Sequence, residues 1–198
     1  MTDADKIKDD LHALLFDVQR SIRYHSCRQS FFERLLTLTQ IITVLFGSAT
    51  FFAVLANTGK AFQLIAAAVV TLFSTINLVV SPTRKSQLHD GLAKRFIDLE
   101  SAIIGEEAIT EQMMRSFKQK LLAIERDEPP ILRTLDSLCH NQLLKAEGYG
   151  EEYFVIVKPY QRWLCNILDI NAHVIRPAAK SIPMVGEQKA ISPEHEDQ

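Results

Sequence analysis

Glycine and proline are scarce in this chain, seven of each among 198 residues. That leaves too little turn chemistry for a fold of many short strands. Cysteine is scarcer still. Cys27, Cys139 and Cys165 are few, far apart and odd in number, so they outline no disulfide framework of a secreted domain, and a reducing compartment is expected. No run of lysine and arginine marks a nucleic-acid surface, and the net charge is only −2. Glycine-rich phosphate loops, HExxH, GxSxG and CxxC are all missing. The N-terminal stretch MTDADKIKDDLHALLFDVQR is acidic and amphipathic, unlike the basic region and short apolar core of a cleavable signal peptide. These absences point away from an enzyme, a nucleic-acid binder and a secreted scaffold, and no cofactor is expected.

The most informative absence is local. Leu35 to Ala56 and Ala61 to Ser81 contain no charged side chain, and only Asn57-Thr58-Gly59-Lys60 joins them. Each stretch would rise about 30 Å as an α-helix, the thickness of a bilayer's hydrocarbon core. So short a connection sends the second helix back antiparallel to the first. The competing reading, two core helices of a soluble protein, does not call for two adjacent uncharged runs of this length. Arg20, Arg23, Arg28 and Arg34 precede the first run, Arg84, Lys85, Lys94 and Arg95 follow the second, and the connection holds only Lys60. That asymmetry predicts both termini on the cytoplasmic side. Neither run holds an ionisable residue of the kind that ion- or proton-coupled transport requires.

Polar residues nevertheless recur inside the runs. Thr39, Thr43, Gly47 and Thr50 share one helical face in the first, and Gln63, Ala67, Thr71, Ser74, Asn77 and Ser81 share one in the second. Small residues let backbones approach, and hydroxyls or amides bond across helices. Two readings stand: helix packing, or the lining of a pore. Ahead of the first run, Arg20, Tyr24, His25, Arg28 and Arg34 interleave cations with rings. That pattern suits a headgroup region or a partner contact, and equally a face packed on the rest of the chain. Tyr24-His25 is the candidate point for pH sensing or partner contact, with ordinary packing as the alternative.

Elsewhere the chain reads as amphipathic helices. Ile7, Leu11, Leu14, Leu15, Val18 and Ile22 form one apolar stripe. Leu88, Leu92, Phe96, Leu99 and Ile103 form a second, ended by Gly105, and Ile109, Met113, Phe117, Leu121 and Ile124 a third. After Asp127-Glu128-Pro129-Pro130 a new helix is predicted with proline in its first turn, carrying Ile131, Leu132, Leu135, Leu138 and Leu143 to Gly148. A last helix is expected from about Glu151 to Ile170, bent near Pro159, with Tyr160, Arg162 and Trp163 suited to an interface. Glu125, Asp127 and Glu128 make a carboxylate cluster that fits acid–base work or simple helix-end charge. His25, Cys27, Cys139 and His140 have no recognised zinc spacing, so no metal is expected.

The expected architecture is an all-α membrane protein: a two-helix transmembrane hairpin with a cytoplasmic helical bundle formed by the N- and C-terminal segments. Its parts are an amphipathic helix over 1–34, the hairpin over 35–81 (35–56 and 61–81), cytoplasmic helices over 82–147, a helical or interfacial segment over 148–176, and a flexible tail over 177–198.

The runs RSIRYHSCRQSFFERLLTLTQIITVLFGSATFFAVLA, INLVVSPTRKSQLHDGLAKRFIDLE and IERDEPPILRTLDSLCHNQL together resemble the SLATT family, over roughly Asp10 to Leu144. These are bacterial and phage proteins with two transmembrane helices and a cytoplasmic helical region, associated with nucleotide-second-messenger synthases and nucleotide sensors. The resemblance implies an inner-membrane effector of the defence or cell-suicide type. Its cytoplasmic part would receive a signal, and its membrane part would homo-oligomerise and form a pore or disrupt the bilayer. The partners implied are the lipid bilayer, further copies of the chain and a cytoplasmic sensor or nucleotide-signalling protein; nucleic acid is not among them. The alternatives are a membrane-anchored adaptor for a cytoplasmic partner, and a phage holin or exclusion protein.

Overall fold

The computed structural model of the protein describes residues 3–48 and 60–169. Six α-helices follow in order among them: α1 (Asp3–Gly47), α2 (Lys60–Val80), α3 (Pro82–Ile104), α4 (Glu111–Glu125), α5 (Arg133–Ala146) and α6 (Pro159–Leu164), with a 3₁₀ turn at Glu151–Tyr153 before the last. The described residues contain no strand. Helix α1 is a single element of 45 residues, because no glycine or proline interrupts it before Gly47. Helix α2 stops at Val80. Ser81 then takes a positive φ of 48°, and Pro82 opens α3, where its missing N–H is no loss. Thr110 caps α4 by accepting the Met113 N–H at 3.3 Å.

Two compact units divide these elements. The first holds the chain up to His25 and from Leu92 onward, and the second is Ser26–Gly91. In the first unit the apolar stripes meet. Leu14 and Val18 of α1, Leu92, Phe96, Leu99 and Ile103 of α3, and Met114, Phe117, Leu121 and Ile124 of α4 form one buried cluster, with Leu11, Leu15 and Ile22 against its edge. Burial of each such side chain contributes about 1.5–3 kcal/mol. Phe16, on another face of α1, packs with Leu143 and Leu144 of α5 and with Tyr149, Tyr153 and Phe154.

Two local expectations are corrected in this unit. Helix α5 starts at Arg133, not at the proline pair, because each proline pushes the residue before it out of the helical region. The start is set instead by Asp169, which accepts the N–H groups of Arg133 and Thr134 at 3.1 and 3.0 Å. The expected continuous helix after Glu151 is broken: beyond the 3₁₀ turn the chain leaves helical structure until Pro159, and Asn141 holds Val155 by both backbone groups, at 2.7 and 2.8 Å. Met113 packs half-buried against the α4 side of the core as its stripe predicts, and Met114 beside it is buried.

In the second unit most apolar surface faces outward. Leu38, Ile41, Val44 and Leu45 of α1 and Leu64, Ile65, Leu72, Leu78 and Val79 of α2 are exposed. Helix α2 covers a different face, on which Ala66 is buried and Phe73, Ile76 and Val80 are half-buried. Leu88 lies in this unit and is exposed, so the buried part of its stripe begins at Leu92. Two helical runs, Asp5–Gly47 and Leu64–Ile104, the second comprising most of α2 together with α3, are long and apolar enough to cross a membrane.

Candidate functional site

A cleft of about 610 Å³ opens in the first unit, lined by Arg20, Ser21, Tyr24 and His25 of α1, Glu125 at the end of α4, the connection through Glu128, Pro129, Pro130 and Ile131, and Asp136 of α5. Helical spacing explains the α1 wall. Residues 20 and 24, 21 and 24, and 21 and 25 stand three or four positions apart, so the four line one side of the helix. The proline pair explains the opposite wall, since it holds the chain extended between α4 and α5.

The two rings at the cleft do structural work. Tyr24 Oη accepts the Leu132 N–H at 3.0 Å, anchoring the connection just before α5. His25 is 1% exposed, and its Nε2 lies 3.1 Å from Oε1 of Glu128, whose side chain is 7% exposed. The imidazole stacks on Phe96 at 5.5 Å and meets Tyr24 edge-on at 5.2 Å. A polar pair this deeply buried is tolerated because each member satisfies the other.

Charge in the cleft is unevenly balanced. Arg20 Nε lies 3.3 Å from Asp136 Oδ1, within ion-pair reach but off the line of a hydrogen bond, and its Nη2 lies 3.2 Å from Asp17 Oδ1. One guanidinium thus faces several carboxylates. Burial raises the Glu125 carboxyl above its ordinary value, Glu128 and Asp17 push the same way, and Arg20 opposes them. Burial also raises Asp136, against the pull of Arg20 and His140. His140 is lowered, first by burial and then by Arg20. Asp127 goes the other way, held low by its 2.8 Å hydrogen bond from Arg95. Such a cleft can exchange protons and accept hydrogen bonds from a donor group, and its carboxylates repel phosphate.

The residues singled out from the sequence are distributed unequally. Arg20, Tyr24 and His25 come together in the cleft, with Glu125 and Glu128 opposite. Arg28 belongs to the second unit, its guanidinium 4.6 Å from the Phe32 ring centre and 5.8 Å from that of Phe31. Arg34 borders a separate shallow groove with Glu33, Thr37, Leu38 and Ile41. Thr39 is buried and donates to the Leu36 carbonyl at 2.8 Å, while Thr43 is half-buried and donates to Thr39 at 2.8 Å. Gly47 is exposed. Thr50 lies outside the described residues, as does the expected tail over 177–198. Thr71 is exposed and donates to the Ala67 carbonyl at 2.9 Å, and Ser74 and Asn77 are exposed beside it. The first stripe therefore has its buried member on the covered side of the hairpin, and the second stripe faces out. The hydroxyls of Thr39, Thr43, Thr71 and Thr75 bond within their own helices rather than between helices.

Among the described residues no group of three or more His, Cys, Asp or Glu is arranged to hold a metal ion. His25 is engaged with Glu128, and His140 meets Phe16 edge-on at 5.2 Å. Sequence reasoning missed Asp136, Asn141 and Asp169. The first two read as ordinary polar positions of an amphipathic helix, and nothing near Asp169 in the sequence marks it as a distant cap. The chain matches no protein-family model, no curated protein and no solved structure.

Proposed function

We propose that this chain is a non-enzymatic membrane effector. Its hairpin lies in the bacterial inner membrane with both termini in the cytoplasm, copies of it assemble, and the assembly permeabilises the bilayer when the cytoplasmic helices receive a signal. The observation that carries this reading is that only 11% and 6% of the two apolar windows are buried. A core helix of a soluble protein hides such a surface, whereas acyl chains would solvate it here. The outward stripe of Thr71, Ser74 and Asn77 supports assembly, because an amide facing acyl chains is costly until a second copy or water meets it. The resemblance to the SLATT family points to the same class, with a sensor or nucleotide-signalling protein as the cytoplasmic partner and cell-suicide defence as the setting.

Inducing the full chain in bacteria and following a membrane-potential dye tests the reading. Collapse of the potential is expected, with the chain in the alkali-resistant membrane fraction. A steady potential with the chain in that fraction overturns permeabilisation. Gly47→Leu and Asn77→Leu should reduce oligomer size on native gels. A Cβ at Gly47 meets nothing within 4 Å among the described residues, so a larger side chain there has no described neighbour within the chain to displace. Unaltered oligomers in both variants would remove the stripes from the assembly.

A second reading is a membrane-anchored adaptor. It is favoured by the cleft, which lies wholly within the first unit and gathers polar groups suited to a partner's donors. Exchanging the hairpin for an unrelated two-span anchor separates the two: retained function favours the adaptor.

A further inference from the structure

Two shallow grooves in the second unit each carry one arginine, and they differ in charge. In the first, Arg34 is accompanied by Glu33, so the groove is close to neutral. The second, of about 520 Å³, lies where α2 ends and α3 begins. Leu78, Ser81, Thr83, Arg84 and Gln87 line it, and among the described residues no acid does. Neighbouring polar groups are occupied elsewhere. Lys85 points its ammonium at the Phe32 ring, 5.5 Å from the centre, and Ser86 donates to Glu33 at 3.3 Å. The side chains of Thr83, Arg84 and Gln87 have no hydrogen bond or ion pair among the described residues. Directly beside these donors the surface turns apolar: Leu78 is 80% exposed and Val79 76%.

We propose that this groove binds an anionic phospholipid. Its phosphate sits on the Arg84 guanidinium, with Thr83 and Gln87 as further donors, and an acyl chain runs along Leu78 and Val79. A planar guanidinium with several N–H donors suits phosphate oxygens better than an ammonium does. The uncompensated positive charge selects an anionic headgroup over a zwitterionic one. Continuity with the exposed apolar surface selects a lipid over free phosphate, which has nothing to place on Leu78. The absence of a carboxylate distinguishes this groove from that of Arg34. The site rests on the membrane reading above, since a lipid reaches Leu78 only if α2 lies in a bilayer.

The test uses the full chain in vesicles of phosphatidylcholine mixed with phosphatidylglycerol. Insertion is read first, as flotation with the vesicles after alkaline washing. The chain is then extracted in a neutral detergent, and the ratio of retained phosphatidylglycerol to phosphatidylcholine is read by native mass spectrometry. The wild-type chain should retain phosphatidylglycerol preferentially. Arg84→Gln should lose about fivefold of that preference, the scale of one basic residue at an anionic surface. Gln87→Leu should lose part of it, Arg84→Lys should fall between wild type and Arg84→Gln, and Arg34→Gln should keep most of it. Inorganic phosphate should not displace the retained lipid. Insertion with an equal lipid ratio in Arg84→Gln and wild type overturns the lipid site alone. Displacement by inorganic phosphate overturns the choice of a lipid as ligand. Failure of the wild-type chain to float overturns the membrane reading and this site with it.

Discussion

Within the cleft, individual residues divide into those that hold the unit together and those that carry unbalanced charge. Tyr24 and His25 belong to the first kind, each committed to a partner more than a hundred positions away, Leu132 and Glu128. Glu125 and Asp136 belong to the second, both raised first by burial. A carboxyl whose pKa is higher in the folded than in the unfolded chain binds its proton more readily when folded. Its contribution favours folding at acid pH and is lost as the pH climbs from the unfolded value through the raised folded one. Glu125→Gln removes this titration. The variant should be more stable than wild type at neutral pH, and the difference should vanish as the pH falls through the carboxylate range. Thermal unfolding of both proteins across that range checks it, and a difference independent of pH would discard the charge argument. Asp136→Asn should show a smaller gain at neutral pH, because it also weakens the contact with Arg20.

The elements of the first unit depend on residues far away in sequence to begin and end. Helix α5 has no side-chain cap at its own N-cap position, Leu132. Asp169 supplies one from beyond the last helix, accepting from two backbone N–H groups and from the buried Thr134 hydroxyl at 2.9 Å. Asn141 in turn ties the segment before α6 to α5 through both backbone groups of Val155. Gln161 completes the arrangement by accepting the Lys158 N–H at 3.0 Å, which starts α6. Asp169→Ala should destabilise the chain by about 1–2 kcal/mol, as loss of a helix cap does. Urea unfolding measures the loss, and hydrogen exchange should show the Arg133 and Thr134 amides losing protection before those of α4. Equal protection in wild type and variant would mean that water replaces the carboxylate without loss. The helical periodicity of Leu135 and Leu143 was legible in the sequence; the cap that sets where their helix begins was not, because no local pattern encodes it.

Across the whole molecule, apolar surface is apportioned differently in the two units. The first gathers its stripes from three helices into one core. The second leaves large side chains on α1 and α2 exposed. That contrast yields a paired substitution. Leu72 in the second unit is 57% exposed and Leu122 in the first is 64% exposed, so in water lysine at either place should change stability by no more than about 0.5 kcal/mol. Within a bilayer, lysine at Leu72 would cost about 2.5–3.5 kcal/mol. Leu72→Lys should therefore lower the alkali-resistant membrane fraction of the chain, and Leu122→Lys should leave it unchanged. Equal behaviour of the two would place α2 in water.

The sequence by itself determined the helical character of the chain, the two long uncharged runs, and most of the stripe that packs α1 against α3 and α4. All three follow from local pattern: charge is absent or present, and apolar side chains recur with the period of a helix. Tertiary structure alone decided which faces are covered. Thr39 of one polar stripe is buried, while Thr71, Ser74 and Asn77 of the other face outward. The period of a helix groups residues on a face without saying what that face meets. Tertiary structure also decided that Tyr24-His25 and the carboxylates around Glu128 share one cleft. Residues so far apart meet only when a packed core brings their helices together, and that core is a property of the folded chain rather than of any stretch within it.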